Sequence, residues 1–254
     1  MSSAPIHPGE TPQRVEFLGA PFDLDSPESA IARLRMRKAG DRFAYVVTPN
    51  ADHVVRLSGR PELIPTYRNA WMSLNDSRPI QLLARLRGLT LPRLPGSDAV
   101  DRLFAGVIEP GDALAVIGAT DELATELRTR FPQFNWAIHV PPGDLDSNAE
   151  TVDACVQFAL ANPARYLFLG VGSPRSELLA ERIAQCEGAT GTALCIGAAL
   201  EFITERKARA PEFMRVSGLE WLFRLLSEPR RLWRRYLLGA GPLLWLFLRE
   251  RRRG

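Results

Sequence analysis

The chain has 254 residues, 46% of them apolar, and a formal net charge of +3, which suits one large domain, or a domain with an appendage, and confines disorder to the ends. Cys155, Cys186 and Cys195 are odd in number and lack CxxC spacing, and with three histidines (His7, His53, His139) they offer no zinc-ligand cluster, so the thiols are expected as small buried hydrophobes.

Met1–Gln13 is rich in Ser, Pro and Gly without an apolar core, which fits neither a signal peptide nor a membrane span and gives a cytoplasmic expectation. From there β-rich runs alternate with helical stretches. The expected strands are Phe43–Thr48, Trp71–Leu74, Ala113–Gly118, Asn135–Val140, Tyr166–Gly170 and Thr192–Gly197. Between them Ala51–Ser58, Pro79–Arg87, Asp98–Ala105, Asp121–Phe131, Thr151–Ala161, Pro174–Gln185 and Ala199–Thr204 read as helices. This alternation predicts an α/β fold with a Rossmann-like, largely parallel sheet, in which ligands sit beyond the carboxyl ends of the strands.

The residues just after those strands are polar. Thr48 and Asn50 can contact a sugar or phosphate, or simply cap the next helix. Asp76 sits at a strand end ahead of a helix; it is either a general base for a substrate hydroxyl or an N-terminal cap, and spacing does not separate the two. Arg93, in the Pro/Gly-framed LPRLPGSD loop, can reach an anionic substrate. Gly170–Glu177 (GVGSPRSE) is a tight turn into a helix N-terminus that favours phosphate, but it is neither a Walker loop nor a GxGxxG fingerprint.

The mild overall charge hides a polar split, with thirteen Lys/Arg against five Asp/Glu after Thr204, a local +8 that leaves −5 for the rest. Tyr236–Leu248 (YLLGAGPLLWLFL) is uncharged and bracketed by arginines. A membrane span needs about 20 apolar residues. The shorter run, with Trp233, Tyr236 and Trp245 suited to the lipid boundary, reads as a monotopic surface segment whose arginines meet anionic headgroups. The same residues also fit an ordinary helix packed on a core or a neighbouring subunit.

Taken together, VVTPNADHVV, the strand-end Asp76, LPRLPGSD, LFLGVGSPRSE and the long GTALCIGAALEFITERKARAPEFMRVSGLEWLFRLLSEPRRLWRRYL segment resemble the bacterial WecG/TagA/CpsF glycosyltransferase family (glycosyltransferase family 26). The resemblance implies a GT-E type core over residues 15–205, a tail at 1–14 and a basic, membrane-associating appendage at 206–254. It implies an inverting, metal-independent transferase without cofactor, moving a sugar from a nucleotide sugar to a polyprenyl-diphosphate-linked saccharide. Such products feed exopolysaccharide, capsule or cell-wall polymers. Carried to matched positions, it makes Asp76 the base. Thr48, Asn50, Arg93, Gly172, Ser176 and Glu177 become substrate-binding residues, and Arg224, Arg231 and Arg234 hold the lipid diphosphate.

Offsets of seven and three place that arginine trio on one helical face if the helix continues through Pro229, and three guanidinium groups suit a diphosphate. Two positions depart from the family: Ser176 stands where Gln is usual, and Asp76 precedes Ser77 instead of Gly. Both departures lean away from an N-acetylmannosamine donor and make a hexose donor such as UDP-glucose a competitor beside a UDP-N-acetylmannosamine(uronate)-like one. The partners implied are the donor, the lipid-linked acceptor, the inner face of the cell membrane and a homo-oligomer. Nucleic acid is not among them, because duplex binding rests on phosphate contacts and has no use for a greasy insert. The competing reading is a non-catalytic adaptor on anionic lipid.

Overall fold

The computed structural model describes residues 13–142, 145–146, 148–197, 199–204 and 241–250. Arg224, Arg231 and Arg234 lie outside them. An antiparallel hairpin, β1 (Arg14–Phe17) and β2 (Ala20–Asp23), is followed by α1 (Pro27–Met36), β3 (Ala44–Val47), α2 (Ala51–Gly59), α3 (Ile64–Arg68), β4 (Met72–Ser73), α4 (Arg78–Arg85) and α5 (Gly96–Gly106). The second half runs β5 (Ala113–Ile117), α6 (Asp121–Arg130), β6 (Asn135–His139), α7 (Ala149–Ala161), β7 (Tyr166–Leu169), α8 (Arg175–Ala184), β8 (Thr192–Cys195) and α9 (Ala199–Ile203). Residues 241–250 form a further helix, α10.

Six strands make one sheet in the order β4-β3-β8-β7-β5-β6, and every pairing in it is parallel. Its central strands are apolar on both faces, as a sheet covered on both sides requires. Side chains alternate along each strand. Tyr45, Val47, Ala115 and Ile117 join one core with α2, α3, α4 and α8, while Val46, Leu114 and Val116 join the other with α1 and α5. Side-chain caps start the helices: half-buried Asn50 for α2, buried Ser77 for α4 and exposed Thr120 for α6.

The six expected strands and seven expected helices all form, within about two residues at their ends. The hairpin, α1 and α3 are additions. The hairpin matters to the site because β4 has only two residues and borrows support from it. Asp23, buried and paired with Arg14 at 2.5 Å, accepts the Ser73 backbone N–H at 2.7 Å, and Ser73 donates its hydroxyl to Pro21 O at 2.7 Å. Burial nonetheless raises the Asp23 carboxyl above its ordinary pKa, outweighing the pull of Arg14 and of the Ser73 N–H.

α10 packs on the core through Leu243, with Leu246 and Phe247 half-buried behind it. Arg87 fixes it: its guanidinium lies 4.3 Å over the Phe247 ring and donates to the Phe247 carbonyl at 2.5 Å. Glu250 accepts the Leu18 N–H at the hairpin turn, at 2.8 Å. The packing expected of an ordinary helix on the core is thus present in α10, whose Leu244, Trp245 and Leu248 are exposed, while Trp233 and Tyr236 lie outside the described residues. Among the described residues no helix is long and apolar enough to cross a membrane.

Candidate active site

The sheet changes winding direction between β5 and β7: the chain leaves β5 outward to β6, and leaves β7 inward to β8. Ligands of open parallel sheets bind at such a point, beyond the carboxyl ends. Glycines bring the backbones together there. Gly118, at φ +95°, has no room for a Cβ, which would lie 2.8 Å from Val171 N and 2.9 Å from Gly170 C. A Cβ on Gly170 would meet Gly197 O at 3.4 Å and Gly118 O at 3.5 Å, so the ends of β5, β7 and β8 form one close floor.

To one side of this floor, the turns after β3 and β4 meet. The Asp76 N–H donates to Pro49 O at 3.1 Å, which sets Asp76 beside Asn50. Asp76 is half-buried. The two roles open for it are separated in part, because the α4 cap is Ser77, whose Oγ accepts from Ile80 N at 3.3 Å. Asn50 does cap α2, its Oδ1 accepting from Asp52 N at 3.0 Å and His53 N at 3.3 Å. Thr48 is buried and donates to Cys195 O at 3.2 Å across to β8. The first residue of α5, Gly96, sits against it, 3.3 Å from Oγ1 to an added Cβ.

Arg93 reaches the same place through a residue that sequence reasoning passed over. Asn75, buried, accepts Ser77 N at 2.8 Å, donates Nδ2 to Pro92 O at 3.3 Å, and receives Leu94 N on its carbonyl at 3.0 Å. Arg93 thus hangs between two residues bonded to the neighbour of Asp76. Gln81 adds a third tie, donating to Leu91 O at 3.1 Å. The available signal was a polar Asn-Asp-Ser run directly after an apolar strand, where a buried amide is tolerated only with partners.

β8 separates β3 from β7, so the Thr48 end and the Gly170–Ser173 turn stand about 10 Å apart by strand spacing. Gly172 lies in that turn at φ +83°, its missing side chain facing Arg175 Nη2 at 3.2 Å. Ser176 and Glu177 point inward and are 2% exposed. Ser176 donates to Leu169 O at 3.3 Å. Glu177 joins a buried polar cluster in which Tyr67 Oη lies 3.4 Å from both His53 Nδ1 and Ser173 Oγ, and Arg56 donates to Ser173 Oγ at 2.7 Å.

Glu177 Oε1 is 3.9 Å from His53 Nδ1, a contact that is an ion pair only when the imidazole is protonated. Burial pushes the Glu177 carboxyl up to about 6, and burial, helped by Arg56, pushes the His53 imidazole down to about 3. Burial thus disfavours the charged form of each. The Thr48, Asn50, Asp76 and Arg93 backbones are therefore brought together, Gly172 faces them across β8, and Ser176 and Glu177 underpin the turn.

A cleft of about 560 Å³ opens at the opposite, amino ends of β5 and β6, lined by Arg128, Asn135, Trp136 and Asn162 among others. No residue of the site lines it, and its amide and indole groups are occupied locally: Asn135 Nδ2 donates to Gly111 O at 2.8 Å and Trp136 Nε1 to Phe131 O at 3.0 Å.

A carboxylate, an arginine and a turn at a helix N-terminus thus stand over the carboxyl edge of a parallel α/β sheet, the place where sheets of this class bind ligands. The glycosyl transferase WecG/TagA/CpsF family model matches residues 15–254, and the chain belongs to that family. It is 24% identical over 230 residues to N-acetylglucosaminyldiphosphoundecaprenol N-acetyl-β-D-mannosaminyltransferases from Staphylococcus aureus strains MRSA252 and NCTC 8325, covering 87% of each chain.

Proposed function

We propose that the protein is an inverting, metal-independent glycosyltransferase that moves a sugar from a nucleotide sugar, UDP-linked, to a polyprenyl-diphosphate-linked saccharide. The single observation that carries this reading is that Asn75 joins the loops carrying Asp76 and Arg93 at the carboxyl edge of the sheet. In this reaction the acceptor oxygen attacks the anomeric carbon from the face opposite the leaving group. Its proton passes to the Asp76 carboxylate, the bond from the anomeric carbon to the diphosphate oxygen breaks, and the nucleoside diphosphate departs. Arg93 and the α8 N-terminus beside Gly172 stabilise the charge that develops on the diphosphate, in the role a metal fills elsewhere. Thr48 and Asn50 form the pocket wall between donor and acceptor. Arg224, Arg231 and Arg234 clamp the lipid diphosphate, and the basic C-terminal segment keeps the enzyme on the cytoplasmic face of the membrane.

The relatives' names specify an N-acetylmannosaminyl group, which supports a donor of that type over UDP-glucose. The test incubates purified protein with vesicles, a lipid-diphosphate-linked N-acetylglucosamine acceptor and UDP-, GDP- and dTDP-sugars in EDTA, reading nucleoside diphosphate release and product mass. One productive donor with an inverted linkage is the expected result. No product with any donor, with vesicle binding intact, overturns it in favour of an adaptor.

A further inference from the structure

The five most exposed large hydrophobic side chains of the described residues are gathered on α4 and α10. Leu82 (47%) and Leu86 (74%) stand one turn apart at the outer face and end of α4; Leu244 (52%), Trp245 (55%) and Leu248 (51%) share the outer face of α10. The two faces are contiguous, because Pro79, Leu82 and Leu83 line one groove with Leu243 and Leu244. Arg87 meets Phe247 farther along, so the helices run in the same direction, with Leu86 and Leu248 toward the same end. Isolated surface leucines need no explanation, but a contiguous apolar patch on two helices does.

We propose that this composite α4–α10 face inserts into the outer layer of an anionic lipid monolayer, so that a helix of the catalytic core, and not the C-terminal segment alone, contacts the membrane. The proposal rests on the reading that the acceptor is carried by lipid. Charge complementarity selects lipid as the occupant. α4 contains two arginines and no acid, and exposed Arg85 and Arg249 border the leucines. Arg249 lies 5.0 Å over the Trp245 ring, an amphipathic pair suited to the headgroup boundary. Glu250, the one acid of α10, accepts the Leu18 N–H. In the sequence three further arginines, Arg251 to Arg253, follow at once.

The placement has a mechanistic consequence. α4 begins two residues after Asp76, and its eight residues span about 12 Å. Seating its outer face in lipid brings the candidate base within about one helix length of the headgroups, where a lipid-anchored diphosphate must stay.

The test uses the full chain and phosphatidylcholine vesicles with and without phosphatidylglycerol. Leu82→Glu with Leu86→Glu is expected to weaken binding to the anionic vesicles about tenfold or more, with the thermal midpoint retained. Leu86→Trp, which keeps the face apolar, is expected to bind normally and to be quenched by brominated acyl chains. Unchanged binding of the double glutamate variant, or an unquenched Trp at position 86, overturns the proposal by showing that the face lies away from lipid. A shift of the double variant from dimer to monomer without vesicles also overturns it, and assigns the face to a second copy. Sugar transfer by the wild-type protein is read in the same vesicle samples, so loss of the transferase reading is distinct from loss of the membrane face.

Discussion

Replacing Gly118 with alanine tests the close floor on which the site is built. Two costs add. At φ +95° an L side chain costs about 1–2 kcal/mol. The new Cβ would also stand 2.6 Å from Val171 Cγ1, 2.8 Å from Val171 N and 2.9 Å from Gly170 C. The valine methyl can swing aside, but the two backbone atoms belong to the turn after β7, and forcing them apart costs about 1–3 kcal/mol. A total near 3 kcal/mol lowers the melting midpoint of a domain this size by about 6–12 °C. The control is Gly88→Ala, where φ is +73° and nothing lies within 4 Å, so only the first cost applies. Differential scanning fluorimetry compares the two. Because the displaced turn carries Gly172, sugar transfer below the midpoint is expected to fall in Gly118→Ala and not in Gly88→Ala. Equal midpoint losses would refute the reasoning, since they would mean that the β5 and β7 ends yield freely.

Asp76→Asn keeps the size of the side chain and removes the base; turnover is expected to fall by about 10²–10⁴ with midpoint and vesicle binding unchanged, and a loss under tenfold would remove Asp76 from the chemistry. Glu177→Gln probes the buried cluster by pH. Glu177 is raised in the folded state from 4.5 to about 6, so its contribution is full below pH 4.5 and lost as pH rises through 6. The midpoint of Glu177→Gln relative to wild type should therefore climb between pH 4.5 and 6.5 and then level. His53, lowered from 6.5 to about 3, works in the opposite sense: its contribution is full above 6.5 and lost as pH falls toward 3, in both proteins alike. Arg87→Ala removes the hydrogen bond and the ring contact that hold Phe247, worth about 1–2 kcal/mol together. Hydrogen exchange should accelerate across residues 241–250 while the sheet stays protected; unchanged exchange there would mean that Leu243 alone seats the helix.

The parallel sheet was legible because most of its strands are short, apolar runs closed by Thr-Pro-Asn, Asn-Asp-Ser or Gly, and those closing residues lie at the carboxyl edge, where sheets of this class bind ligands. α1 was hidden by its arginines, Arg33 and Arg35, which interrupt the apolar stripe of Ile31 and Leu34. The hairpin turns at Leu18, at φ 55°, a conformation that no leucine propensity announces. The site was half legible. Asp76 and Arg93 stand out as charged residues in strand-end loops, but the contact of Asn75 with Pro92 spans 17 residues, and that of His53 with Glu177 joins α2 to α8. Local pattern carries no record of such pairings. For Ser176 and Glu177, the motif located the turn and burial decided their direction.

Because one buried amide, Asn75, fastens the loop of the candidate base to the loop of the candidate arginine, the two behave as a single cassette. Enzyme engineering that grafts only the Asp76 turn from another family member would leave Pro92 and Leu94 matched to a foreign partner. Exchange of the whole stretch from 75 to 94, which carries Gln81 along with both loops, preserves the internal bonding and is the natural unit for recombination.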